Sequence, residues 1–162
     1  MSNKQHLPMY GVGPVYASTI VLLTALGIGL SSLEKLPVIR FDFLNIPLTV
    51  IGIVMVLFGL SLWGFAVFKD KIDKGIQNNM LVTSGVYACV RNPIYSAFMI
   101  ACTGTLLIYG NLCLLVLPLV FWIFLTVLMK NTEEKWLLEL YGKEYAEYCK
   151  KVNRCIPWIK RE

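Results

Sequence analysis

A chain of 162 residues that is 57% hydrophobic and only 15% charged, with a mean hydropathy of +0.65, carries more apolar surface than a soluble domain of its size can bury. Its net charge of +5 (15 basic and 10 acidic residues) does not point to nucleic acid, because the basic residues flank long uncharged runs, as membrane topology signals do. A single histidine, His6, and five cysteines with no C-x-x-C pair leave a zinc or di-iron site almost without ligands, so no metal is expected.

Three uncharged runs cover residues 7–33, 43–68 and 92–129. A bilayer core about 30 Å thick needs roughly 20 apolar residues in helix. The first run predicts a span over about Val12–Leu33, too long for a signal peptide and without a clear cleavage site. The second predicts a span over about Ile46–Phe68, with Pro47 in the first turn, where its missing N–H is tolerated. Gly52, Gly59 and Gly64 on that span allow close helix packing, and with it a homodimer. The third run is too long for one helix and holds Tyr109-Gly110-Asn111, a turn signal. It predicts a hairpin of Pro93–Ile108 and Leu112–Met129, the second arm kinked at Pro118.

Beyond the hairpin, Trp136, Leu137, Leu140, Tyr141, Tyr145 and Tyr148 recur at helical spacing over 132–151. Thr132 should cap this helix, with Glu133 and Glu134 in its first turn and Gly142 breaking it in two. The fold class is therefore an all-α integral membrane protein with four transmembrane helices, the last two a helical hairpin. Four spans place 13 basic residues on one side and only Lys35 and Arg40 on the other, so the N- and C-termini are expected in the cytoplasm. Residues 1–68 form a two-helix membrane region, and 69–162 carry the hairpin, a cytoplasmic loop and the C-terminal helices.

Two stretches carry chemistry. The loop Leu81-Val82-Thr83-Ser84-Gly85-Val86-Tyr87 leads through Arg91-Asn92-Pro93 to Tyr95 at a helix start, whose free N–H groups favour anions. The bland reading is a snorkelling arginine among aromatic belt residues. The acidic pair Glu133-Glu134 lies at the membrane surface and either caps a helix or holds a cationic ligand. Met55, Phe58, Trp63, Met99, Phe121 and Trp122 either border a lipid groove or simply pack and face lipid.

Taken together, L-V-T-S-G-V-Y-x-x-x-R-N-P-x-Y, then T-E-E after the hairpin, then Y-G-K-E-Y-x-x-Y and R-C-I-P-W-I resemble the isoprenylcysteine carboxyl methyltransferase family, grouped with the phospholipid N-methyltransferases. The likeness covers roughly residues 70–160 and is to a short, prokaryotic-type member. It implies a plasma-membrane enzyme that uses S-adenosylmethionine, releases S-adenosylhomocysteine, and takes a lipid or other lipophilic acceptor from the bilayer. The loop and C-terminal helices would form the cofactor pocket. Carried over by position, Leu81, Val82 and Tyr87 would line the adenosyl pocket; Asn92, Pro93, Tyr95 and Glu133 would hold the cofactor. Arg91 and Glu134 would join Glu133 at the catalytic centre, and Lys130 and Arg154 would face the acceptor.

This sequence departs from the family at two of these places. Asn92 stands for the family's histidine and cannot be a general base, and Lys130 offers a point charge where relatives place an arginine fork. A carboxylate acceptor needs no base, whereas an amine would need Glu133 or Glu134 to take its proton; a thiol also fits. Two other readings compete: a sterol-reductase-type enzyme, whose extra spans 162 residues hardly accommodate, and a membrane scaffold using the same residues as interfacial anchors.

Overall fold

The computed structural model describes residues 11–69 and 80–157. Among them all regular structure is helical, apart from an isolated parallel bridge between Val90 and Asn153. Helix α1 spans Gly13–Ser32 and starts on Pro14. It buries Tyr16, Ile20, Thr24, Gly27 and Ser31, a single stripe at three- and four-residue spacing. Leu22, Leu26 and Leu30, on its other faces, are exposed, which suits a hydrocarbon surrounding and not water.

Helix α2 spans Asp42–Gly64 and runs on through a π turn, Phe65–Lys69. It starts four residues before the expected Ile46, so Pro47 lies inside the helix and not in its first turn. The carbonyl of Phe43 thereby loses its helical donor, a loss that membrane helices tolerate.

Helix α3 spans Pro93–Tyr109 and packs along α2 through small residues. A Cβ on Gly52 would lie 2.6 Å from the Gly104 carbonyl oxygen, one on Gly104 2.6 Å from the Gly52 oxygen, and one on Gly59 2.8 Å from that of Ala97. The glycines expected to serve close packing do so within the chain, while Gly64 faces open space.

Gly110 closes α3, and a 3-10 turn, Leu112–Leu115, leads into α4, Val116–Asn131. Pro118 thus stands in the first turn of α4, where no helical N–H is due, and the expected mid-helix kink gives way to a change of winding ahead of it. The hairpin turn is tied to the α1–α2 connection by Asn111, which is fully buried. Its Nδ2 donates to Ser31 Oγ (2.9 Å) and the Pro37 carbonyl (3.0 Å); its Oδ1 accepts from the N–H groups of Ile39 (3.0 Å) and Cys113 (3.1 Å). All four hydrogen-bonding positions of the amide are used, which is what a buried polar group requires.

Helices α5, Glu133–Tyr141, and α6, Lys143–Lys151, meet at Gly142, whose φ of +54° is the break that the sequence predicts there. Thr132 does not cap α5 with its side chain as expected. Its hydroxyl donates back to the Leu128 carbonyl (2.6 Å), a common choice for threonine at a helix end.

The segments Gly13–Ser32, Asp42–Phe68 and Leu112–Tyr141 are long and apolar enough to cross a membrane, and α3 is a shorter apolar helix. The main core lies where α1, α3 and α4 meet, around Tyr16, Ile20, Leu106, Phe121, Leu125 and Met129. A smaller cluster, Tyr145, Tyr148 and Val152, sits under the segment that begins at Leu81.

Candidate functional site

The loop before α3 and the segment after α6 are held side by side. A 3-10 turn, Gly85–Ala88, carries Tyr87 inward, and the Tyr148 hydroxyl donates to the Tyr87 carbonyl (2.5 Å). Beside the Val90–Asn153 bridge, the Arg91 N–H donates to the Asn153 carbonyl (2.8 Å), and Asn92 Nδ2 donates to the Arg154 carbonyl (3.0 Å). Asn92 therefore acts as a backbone clamp. Asn153 Oδ1 in turn accepts from the Cys155 N–H (3.1 Å), shaping the turn that follows.

This clamp brings two arginines onto one carboxylate. Glu134 takes Arg91 Nη1 at 3.1 Å and a fork from Arg154, Nε at 2.5 Å and Nη2 at 2.9 Å. The side chains of Arg91, Glu134 and Arg154 are only 8%, 15% and 19% exposed, so the cluster is weakly screened. The bonds from Glu134 raise the Arg154 pKa above its ordinary value, and burial opposes that. Arg91 Nη1 also donates to Cys149 Sγ and reaches the Tyr145 hydroxyl (3.4 Å). Burial pushes the Tyr145 and Tyr148 hydroxyls above the usual tyrosine range, and the Arg91 charge pulls the other way.

Glu133, next in chain, faces away from this cluster. Its Oε1 accepts from Tyr95 Oη (2.7 Å) and from the backbone N–H of Val12 (2.8 Å). The approach is close: a Cβ on Gly11 would lie 2.1 Å from Glu133 Oε1, and one on Gly13 2.5 Å from the Tyr95 ring. The carboxylate thus sits at the positive end of α1, where a helix favours an anion.

A cavity of about 310 Å³ adjoins the arginine cluster, its wall including Arg91, Trp122, Thr126, Cys149, Arg154 and Ile156. That volume is at the lower end of small-molecule sites. Arg91 Nε is buried with no hydrogen-bond partner among the described residues.

The residues singled out from sequence fall into three sets. Arg91, Glu134 and Arg154 come together; Tyr95 and Glu133 pair beside the start of α1 and lie off the cavity wall. Leu81 packs on the Tyr145–Tyr148 cluster, Val82 is half-buried, and Pro93 is buried as the first residue of α3. Lys130 is exposed in the last turn of α4 and joins none of these sets. Of the methionine and aromatic residues considered for a lipid groove, Trp122 lines the cavity, whereas Phe121 and Met99 belong to the core. Val12, Cys149 and Asn153 were not singled out, because a backbone donor, a lone thiol and a turn-forming amide leave no pattern in sequence. Among the described residues no group of His, Cys, Asp and Glu could hold a metal ion.

An all-helical, membrane-embedded chain with this clamp is a member of the phospholipid methyltransferase family, whose family profile matches residues 43–144. Within that family it is similar to enzymes called protein-S-isoprenylcysteine O-methyltransferase, as the motifs indicate. It is 37% identical over 121 residues to the one from Xenopus laevis (70% of this chain, 42% of that protein) and 40% identical over 88 residues to the one from Schizosaccharomyces pombe (54% and 37%). It is also 34% identical over 118 residues to a probable one from Oryza sativa subsp. indica (68% and 61%). The chain therefore spans less than two thirds of the length of these curated relatives.

Proposed function

We propose that the protein is a membrane methyltransferase that uses S-adenosylmethionine to methylate the carboxylate of a lipophilic, isoprenylcysteine-like acceptor. The observation that carries this reading is the convergence of three separate motifs on one cluster, Arg91–Glu134–Arg154, at the edge of a cavity. Two guanidiniums share one carboxylate there, so the wall carries a surplus positive charge. Such a wall favours an anionic nucleophile.

The cavity's size and its mixed wall fit the methyl donor, which supplies an already activated methyl group when bound. The Arg91 and Arg154 guanidiniums on the wall would draw a carboxylate to it, and the Glu134 brace keeps both fixed in direction. Trp122 and Ile156 offer an apolar border for the acceptor chain. A carboxylate nucleophile has no proton to lose, so none of these residues needs to act as a base.

We further infer four crossings, α3 being the fourth, with residues 69–162 carrying the site and both termini in the cytoplasm of a prokaryotic plasma-membrane protein. The 17 residues of α3 span about 25 Å, and α2 supports it along its small-residue face.

The test uses the full chain in lipid nanodiscs with isotopically labelled S-adenosylmethionine. It is offered a farnesylated cysteine with a free carboxylate, the same molecule as its amide, and phosphatidylethanolamine. Base-labile methyl ester on the free acid alone supports the reading; label on the amine lipid, or none on any acceptor, overturns it.

A further inference from the structure

The segment after α6 sends neighbouring side chains to different places. Arg154 lines the cavity and bonds Glu134 through Nε and Nη2, which leaves its Nη1 uncommitted among the described residues. Cys155, 1% exposed, is buried in the main core with Tyr16 and Met129. The two part at a turn that Asn153 makes. Its Oδ1 accepts from the N–H groups of Cys155 (3.1 Å) and Ile156 (3.3 Å), and its carbonyl accepts from the Arg91 N–H (2.8 Å). Asparagine suits this place, since its short side chain can bond the backbone two residues on. Asn153 is itself exposed, and its side-chain oxygen serves backbone, not Glu134 or either guanidinium.

We propose that Asn153 is a positioning residue for the acceptor's carboxylate: its turn aims Arg154, and through Arg154 it gives the cavity a preference for an acid over the corresponding amide. This deepens the function proposed above and rests on it. A guanidinium on a long, flexible stem recognises an anion by direction only where its planar fork is held. The fork of Arg154 is held at one end by Glu134, which α5 carries. At the other end its backbone is held by the Asn153 turn and by Asn92 Nδ2 on the Arg154 carbonyl. The Arg91 N–H on the Asn153 carbonyl ties the second guanidinium's backbone to the same turn. Alanine at 153 removes the side-chain acceptor from an exposed position, and serine restores a weaker, neutral one. Aspartate would also accept these bonds but would cancel part of the wall's positive charge, so serine is the discriminating replacement.

The test uses the full chain in lipid nanodiscs and equilibrium binding of farnesylated cysteine, as free acid and as amide, above the uptake of empty nanodiscs. Wild type should prefer the acid at least tenfold and Asn153→Ala less than threefold, with Asn153→Ser back to at least fivefold. Amide hydrogen exchange at Cys155 should rise at least tenfold in Asn153→Ala, while exchange along α1 stays unchanged and shows the chain still folded. In an Arg154→Met background, adding Asn153→Ala should alter affinity for the acid less than twofold, because the residue through which it acts is gone. An acid preference that survives in Asn153→Ala, serine no better than alanine, or a further loss on top of Arg154→Met would overturn the role of Asn153 alone. Wild type that holds acid and amide alike would overturn the acceptor proposed above, and this role with it.

Discussion

Replacing Glu134 with alanine leaves two guanidiniums facing each other across a largely buried gap. Two charge-assisted hydrogen bonds, at 2.5 and 2.9 Å, and an ion pair at 3.1 Å disappear. Summing them at about 1.5–3 kcal/mol each overshoots, since the bonds share one acceptor and are not additive. Removing one partner of a buried ion pair costs about 3–5 kcal/mol. Arg154 is 19% exposed and can turn part of its charge to water, so the lower end, about 3 kcal/mol, is the expected loss. In a chain of this size that is a fall of roughly 6–12 °C in melting temperature. The assay is thermal unfolding of detergent-purified protein, with Glu134→Ala beside Arg154→Met and the double variant. Removing the stranded charge should recover at least about 1 kcal/mol in the double variant. A Glu134→Ala loss below about 1 kcal/mol, the range of solvated surface pairs, would refute the claim that this cluster is a buried brace.

The remaining expectations are smaller. Gly104→Ala must push α2 off α3 and should cost about 1–3 kcal/mol, whereas Gly64→Ala meets open space and should be neutral or slightly stabilising; unfolding midpoints of the two variants decide. Gly11→Ala puts a Cβ on Glu133 at a φ of +50°, so hydrogen exchange at the Val12 amide should rise at least tenfold. Burial raises the pKa values of Tyr145, Tyr148 and Cys155, so folding favours their protonated forms. That stabilisation is complete below the ordinary values of 9.0 for the thiol and 10.0 for the hydroxyls and fades as pH climbs through them toward the folded values. Unfolding midpoints between pH 8 and 11 should fall with pH, and less steeply in Tyr145→Phe.

What the sequence revealed depended on how local each signal was. The hairpin at Gly110 and the break at Gly142 rest on backbone needs that neighbouring residues announce, and both stand in the structure. The start of α2 was misplaced because Pro47 was read as a first-turn residue, whereas the helix already begins at Asp42 and carries the proline inside it. The cap at Thr132 failed because a carbonyl four residues back competes for its hydroxyl. The acidic pair was visible as a pair, but not that its members face opposite ways. Glu133 meets a backbone N–H 121 positions earlier, and Glu134 an arginine 20 positions later. Such partners are fixed only when helices dock. Lys130 was chosen by position in a motif, and the rotation of α4 turns it outward.

Helix α1 is fastened at both ends, at Val12 to Glu133 and at Ser31 to Asn111. Its 20 residues measure about 30 Å, the thickness of a bilayer's hydrocarbon layer. It is therefore a gauge rod between the two membrane surfaces. Its anchors are unequal: a buried amide with four partners at one end, a single N–H on a carboxylate oxygen at the other. When lipid composition thins or thickens the membrane and α1 retilts to match, the weaker anchor yields first. The Glu133 end of the molecule is thus the end at which membrane thickness is felt.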